Sequence, residues 1–553
     1  MTKRIRIAAG VGVLAVAAGA LVVLAPAASA STARPEVTWS SCPAYSDEAI
    51  ETMVPAEQLA AFRALLARTR CGTVRVPLDH TRPDGEKISI GITRLAAADR
   101  KHKLGSIAMN PGGPGGSGYL MPHILSLVSP EVAALAERYD LIGFDPRGIG
   151  YSTKVDCPRP DDDGPIDIPP GPLTEATARR LYDAQTAANR ACWQSNPAFL
   201  RQLTTANVAR DLDQVRRALG LERISYFGVS WGTLLGSVYR SLYPRSVERM
   251  WLDSVVGPTA NRLDSRFHDV TAAAERNVHR WAAWVAAHDA TYGLGSTTDE
   301  VLAFVERRKA ELNAEPVVFS DAPASLDGNF IAFLATAPSP LWSEATAAMA
   351  AMATAESGDP VPDAVKPIIL PPPSPAEPPP ADAPEPFNGV ASTAILCNDD
   401  TSPHDFPAFW ATFQRWQREF PIAGGLAPIT QACAGWPVPA EPFRLRRSNG
   451  SLQLSAHRYE TATPYEWAGQ IRSLIGGTVF TVDDDIHGSV PFVPECAEHL
   501  RAYFLTGRPD AAGCRGVTAP DTAASDTTVS AETATPLSTD RMPTGTRWSW
   551  RDH

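Results

Sequence analysis

Apolar and polar positions along the chain follow two periods. Between Gly72 and Ala97, "GTVRVPLDH" and "KISIGITRLAA" alternate with period two, as half-buried antiparallel strands do. Four short apolar runs follow, "GSIAMNPGG", "YDLIGFDPRG", "ISYFGVSWG" and "RMWLDSVVG", each ending in glycine or aspartate. Stretches of helical period such as "TANVARDLDQVRRALG" separate them. Strands alternating with helices predict an α/β fold whose mostly parallel sheet is covered on both faces. After Gly257 the strand signal stops, and residues 258–447 carry apolar positions at helical spacing. Strands return at "SLQLSAHRYE" and "GGTVFTVDDD". A helical block is therefore expected inside a sheet domain made of residues 31–257 and 448–514, with an irregular, helix-containing lead-in over 31–70.

Three segments stand apart from this pattern. Lys3, Arg4 and Arg6 precede an apolar stretch, Ile7 to Leu24, and Ala28-Ser29-Ala30 offers small residues for cleavage. Residues 1–30 thus read as a secretory signal peptide cut after Ala30, with an uncleaved anchor helix as the alternative. Residues 359–387, "DPVPDAVKPIILPPPSPAEPPPADAPEPF", are too rich in proline for helix interior or central strand. They predict an exposed polyproline linker within the helical block. Residues 515–553, rich in Thr, Ala, Ser and Asp, predict a disordered tail.

Composition narrows the partners. The 553 residues are 44% hydrophobic and 20% charged, with a net charge of −11, a balance that gives no support to nucleic-acid binding, which needs a basic face. No later segment reads as a membrane span, so no stable membrane association is expected once the leader is cut. Export gives the 8 cysteines an oxidising destination. Sequence leaves the connectivity open, and sequential pairing is the expectation: Cys42–Cys71, Cys157–Cys192, Cys397–Cys433 and Cys496–Cys514. With no CxxC motif, no zinc site or other metal is predicted.

The chemistry centres on "YFGVSWGTLLG". Ser230 lies between Gly228 and Gly232 where a strand turns sharply into a helix. Such a turn exposes the hydroxyl, and the helix N-terminus faces the negative charge that develops there. Strand, GxSxG and helix together form the nucleophile elbow of the α/β-hydrolase fold. The glycine-rich "MNPGGPGGSG" follows an earlier strand and predicts an oxyanion hole from the backbone N–H groups of Gly113 and Trp231. Gly113, Gly115 and Gly118 also fit GxGxxG, but Asp140 begins its strand where a ribose-binding acid should end one, so neither NAD nor another cofactor is expected. The chain order of the fold is serine, acid, histidine. His487 in "VDDDIHGSV" is the expected base. Glu460, which ends a strand, is the expected acid, with Asp253 as the alternative. His457 lies inside a strand, before the expected acid, and His499, on a helix, comes out as structural.

Several motifs in order, "TTANVARDLDQVRRALGLERISYFGVSWGTLLGSVYRSLYP", "NPGGPGGSG", "YDLIGFDPRGIGYS", "AILCNDD" and "TATPYEWA", resemble the secreted bacterial tripeptidyl aminopeptidases. The resemblance spans Cys71 to Cys514. It implies an α/β-hydrolase with a helical cap that releases tripeptides from free N-termini of peptides or proteins through an acyl-enzyme. It also implies that Asp399 and Asp400 meet the substrate ammonium. Two departures flank the base. Glu460 stands where the family carries Asp, and Ile486 where it carries Gly. They keep open a non-catalytic exported binding protein, while a carboxylesterase stays as an alternative because the same triad cleaves esters more easily than amides. Asp145 and Arg147 are expected to pair beneath the oxyanion loop, and Trp284, Trp410, Trp416 and Trp467 to serve packing.

Overall fold

Among the described residues, nine strands build one sheet in the order β1-β2-β3-β5-β4-β6-β7-β10-β11. In chain order they are β1 (Val37–Ser40), β2 (Thr69–Pro77), β3 (Lys87–Leu95), β4 (Gly105–Asn110), β5 (Tyr139–Phe144), β6 (Ile224–Val229), β7 (Val247–Asp253), β10 (Ser451–His457) and β11 (Thr478–Val482). The missing numbers are a two-stranded ribbon, β8 (Val317–Val318) with β9 (Ser325–Leu326). In the sheet, β1 to β3 and the β3–β5 pair are antiparallel, and every pairing from β5 through β11 is parallel. The computed structural model describes residues 35–520 apart from 156, 158–170, 323–324, 371–379, 427–429, 438–439, 442 and 449. The expected leader, most of the expected tail and the centre of the proline-dense stretch lie outside the described residues.

The apolar runs occupy the middle of the sheet because both faces are covered there. Residues of β5 and β6 are buried throughout. Successive side chains go to opposite layers. Ile107, Leu141, Phe227 and Trp251 join one core with the helix Pro494–Thr506, while Ala108, Ile142, Tyr226 and Leu252 join another with the helices Thr205–Ala218 and Trp231–Leu242. Helix Thr205–Ala218 starts where the Thr204 side chain accepts from the Asn207 N–H, and it turns Val208, Leu212 and Val215 to the sheet. Burying each such side chain contributes ~1.5–3 kcal/mol. Between β7 and β10 a helical block has its own core, from Val278 and Trp281 to Met352 and Val365.

Four features depart from the sequence expectation. The lead-in holds a strand, β1, which extends the sheet beyond β2. The proline-dense stretch contains a short helix, Lys366–Ile369, and its end is docked: Asp382 accepts from Ser46, and Glu385 accepts from the Gly150 N–H at 3.0 Å. Residues 515–520, assigned to the tail by composition, are held too. Val517 N–H donates to Asp484 Oδ2 at 3.0 Å, and the Pro520 carbonyl accepts from Trp284 Nε1 at 3.0 Å. Finally, Asp145 and Arg147 do not pair. Arg147 makes a buried, two-pronged contact with Asp211 at 2.6 and 2.7 Å, and Asp145 accepts from Ser117 Oγ and the Tyr151 N–H. Arg147's planar fork engages both oxygens of Asp211 in the helix Thr205–Ala218, while Asp145, two residues back, is held by its own loop. Cysteines pair sequentially, Cys42–Cys71, Cys157–Cys192, Cys397–Cys433 and Cys496–Cys514.

Candidate active site

β6 ends at Val229 and the helix Trp231–Leu242 begins at once, leaving Ser230 alone at the join with φ 58° and ψ −129°. A non-glycine residue held at positive φ is costly and persists only where its surroundings impose it. Here the Ser230 N–H donates to the Asp253 carbonyl at 3.0 Å, and the Ser230 carbonyl accepts from the Thr233 N–H and hydroxyl at 2.8 and 2.7 Å. The glycines are required by close approach. A β-carbon on Gly228 would lie 2.5 Å from the Gly232 carbonyl oxygen, and one on Gly232 would lie 2.6 Å from that of Asn110.

Glu460 and His487 meet. Glu460 Oε1 accepts from His487 Nδ1, from the Thr463 N–H at 3.1 Å and from the Thr463 hydroxyl at 2.6 Å. Its other oxygen accepts from Ser254 Oγ at 2.8 Å. Ser254, also at positive φ, accepts in turn from the Gly488 N–H at 2.8 Å, so one hydroxyl ties the acid to the residue after the histidine. Burial pushes the Glu460 carboxyl up, but the charges of His487 and His457 and these hydrogen bonds outweigh it and hold it below its ordinary value. Gly488 abuts Val229, the residue before the serine. The loop after β11 thus brings His487 back across β10 and β7 towards the end of β6, and no hydrogen bond joins its side chain to Ser230 among the described residues. Pairs of this kind are often looser before substrate arrives.

The other candidates fall elsewhere. Asp253 Oδ1 accepts from Ser455 Oγ at 2.6 Å and meets His457 Nε2 at 2.9 Å, and no hydrogen bond joins it to His487 among the described residues. The opposite nitrogen of His457 meets Asp484 Oδ1 at 2.6 Å. All three side chains are fully buried. Burial opposes charge on His457, but the two carboxylates outweigh it and hold the imidazole well above its ordinary value. Sequence reasoning passed over this cluster because Asp253 and His457 are 204 residues apart. The one available signal was an aspartate and a histidine each ending or nearly ending a core strand. Of the other acids near the base, Asp483 pairs with Arg458, and Asp485 with Arg280 and Ser339.

The glycine-rich loop after β4 curls against the elbow. A β-carbon on Gly112 would lie 3.0 Å from the Trp231 nitrogen. The Gly112 N–H is taken by Asn110 Oδ1 at 3.0 Å, whereas the N–H groups of Gly113 and Trp231 have no partner among the described residues. The Trp231 ring is anchored through Nε1 to the Thr205 hydroxyl at 3.1 Å.

Asp399 and Asp400 end the helix Gly389–Asp399 and are both buried. Asp400 spends both oxygens internally, on the Leu263 N–H, on Ser402 and on His404. Asp399 Oδ2 accepts from the Thr205 N–H at 3.2 Å, and its Oδ1 has no partner among the described residues. Burial, offset only in part by Thr205, pushes the Asp399 carboxyl up to about 7. A carboxyl raised on folding costs stability as pH climbs from its unfolded value near 4 through 7. Asp399→Asn is therefore expected to be more stable than the wild type at pH 8 by about 2–4 kcal/mol, and so to melt higher, with the difference vanishing near pH 4. Thermal denaturation at the two pH values checks it, and an unchanged gap would refute the assignment.

Residues 106–347 match the family described as "alpha/beta hydrolase fold", and residues 422–516 match "TAP-like protein". The chain is 32% identical over 502 residues to a tripeptidyl aminopeptidase of Streptomyces lividans, covering 88% of this chain and 87% of that protein. It is 35% identical over 198 residues to the serine protease Hip1 of Mycobacterium tuberculosis, covering 35% of this chain and 37% of that protein. A carboxylesterase B of Mycobacterium tuberculosis is 26% identical over 495 residues, covering 86% of this chain and 88% of that protein.

Proposed function

Because the chain belongs to the tripeptidyl aminopeptidase family and is a serine hydrolase of the peptidase type, we propose that it is a secreted exopeptidase that removes tripeptides from free N-termini. The observation that carries the reading is the Glu460–His487 hydrogen bond beside a serine strained at a strand-to-helix corner. His487 takes the Ser230 proton as Oγ attacks the scissile carbonyl. The N–H groups of Gly113 and Trp231 receive the oxyanion. His487 then protonates the leaving amine, and water repeats the sequence on the acyl-enzyme. Glu460 holds the imidazole tautomer and balances the imidazolium. No metal or cofactor takes part in these steps.

The substrate ammonium is assigned to Asp399 and not to Asp400, whose oxygens are occupied. A cation at Asp399 Oδ1 would supply the missing partner and draw the carboxyl back into its charged form. Secretion is supported by the four disulfides. The non-catalytic reading falls with membership of a peptidase family. The carboxylesterase reading stays as the second, favoured by the 26% identical relative.

Hydrolysis of a free tripeptide anilide, compared with its N-acetylated form and with a short-chain ester, separates the two. The free anilide is expected to react at least about 100-fold faster than the acetylated one, since a buried carboxylate left without its cation is costly. Equal rates on free and blocked anilides, with faster ester cleavage, would transfer the chain to the esterases.

A further inference from the structure

The proline-dense segment reads as a linker by composition, yet its last residues lie on the glycine-rich loop. The Asn388 N–H donates to the Gly115 carbonyl at 2.9 Å, and the Ser117 N–H donates to the Pro386 carbonyl at 3.0 Å. Phe387 and Gly116 form the antiparallel bridge between them. The Phe387 ring occupies the space beside Gly113 and Gly115: β-carbons there would stand 3.1 and 3.0 Å from its Cε2. This short strand is itself pinned. Glu385 accepts from Gly150, Lys154 and Asn388, and Asp382 accepts from Ser46. The helix that follows it ends at Asp399, which touches Thr205, the residue that anchors the Trp231 ring. One continuous run of chain therefore packs on Gly113 directly and reaches the Trp231 ring through Thr205.

The loop needs such a support. Gly112, Gly113, Gly115, Gly116 and Gly118 give it little conformational preference of its own, and an oxyanion donor is effective only when held in place before charge develops. From inside, Asn110 and Ser117 anchor it. From outside, only the 386–388 strand among the described residues bridges its middle. We propose that Pro386–Asn388 is a positioning strand for the oxyanion loop and that Phe387 is the positioning residue that holds the Gly113 N–H on target. This rests on the reading that Gly113 and Trp231 receive the oxyanion at Ser230.

The test uses the full chain with Phe387→Ala, Phe387→Leu and Glu385→Gln, each normalised to Ser230 titrated by a fluorophosphonate. Removing a whole oxyanion donor costs roughly 10²–10³ in rate, so a misplaced one should cost part of that. Phe387→Ala is expected to lower kcat on a free tripeptide anilide by roughly 10–100-fold with KM within about twofold. A tripeptide aldehyde, whose adduct with Ser230 carries an oxyanion, should lose affinity by the same factor, while the product tripeptide should not. Phe387→Leu should recover to within about threefold, because it refills the space. Should Phe387→Ala fail to fold, Glu385→Gln decides, with a loss of roughly 3–10-fold in the same pattern. A labelled wild type with Phe387→Ala unchanged in kcat and aldehyde affinity, or changed in KM alone, overturns the inference by itself. A wild type that takes no label overturns the underlying reading with it.

Discussion

Ser230→Ala is expected to lose roughly 10⁵–10⁶ in kcat while unfolding at the temperature of the wild type. The size follows from cooperation within the triad: without the hydroxyl, neither the base nor the acid has anything to act on. Stability is spared for a local reason. The strained corner is held by backbone bonds from Ser230 N–H to Asp253 and from Thr233 to the Ser230 carbonyl, all of which alanine keeps. Its hydroxyl makes no cap for the following helix. The strain at φ 58° is the same for both residues. Loss of fluorophosphonate labelling and of anilide hydrolysis, with the melting curve unmoved, checks both halves. Residual activity within about tenfold of the wild type would mean that another nucleophile does the work.

Glu460→Gln is expected to cost roughly 10⁴ in kcat. Every neighbour of this carboxylate donates to it: His487, the Thr463 N–H and hydroxyl, and the Ser254 hydroxyl. An amide matches the shape but puts an NH₂ where one of those donors points. If the amide oxygen stays on His487, the NH₂ faces Ser254, whose oxygen also receives the Gly488 N–H. If it turns, His487 is driven into the wrong tautomer. In neither case is the imidazolium compensated. Glu460→Asp, the family's usual residue, keeps the charge but not the reach, and roughly 10–100-fold is expected from misplacement alone. A pre-steady-state measurement of acylation separates the two variants, and an Asp variant as active as the wild type would show that the extra methylene carries no weight here.

The sheet was legible because its signals are local. β5 and β6 are apolar from end to end, and the elbow announces itself by a serine between two glycines with a strand before and a helix after. Glu460 and His487 could be singled out because each ends or follows a strand. What sequence missed depends on distance along the chain. Arg147 prefers Asp211 over nearby Asp145 because helix Thr205–Ala218 packs there. Pro386–Asn388 has the composition of a linker, yet its backbone groups find partners in a loop more than two hundred residues earlier. Asp400, next in sequence to Asp399, differs from it because the chain folds Leu263, Ser402 and His404 around one carboxylate and not the other.

The Asp253–His457–Asp484 sandwich has a cost in alkali. His457 is raised on folding, so its contribution is complete below about pH 6.5 and is forfeited as pH climbs through the folded value. A hydrogen ion is thus a permanent rivet between the tips of β7 and β10 and the bend leading to His487. Above that raised value the proton is gone, and two carboxyl groups are left on either side of a neutral ring. The loss would fall where β7 and β10 end and the chain turns towards His487.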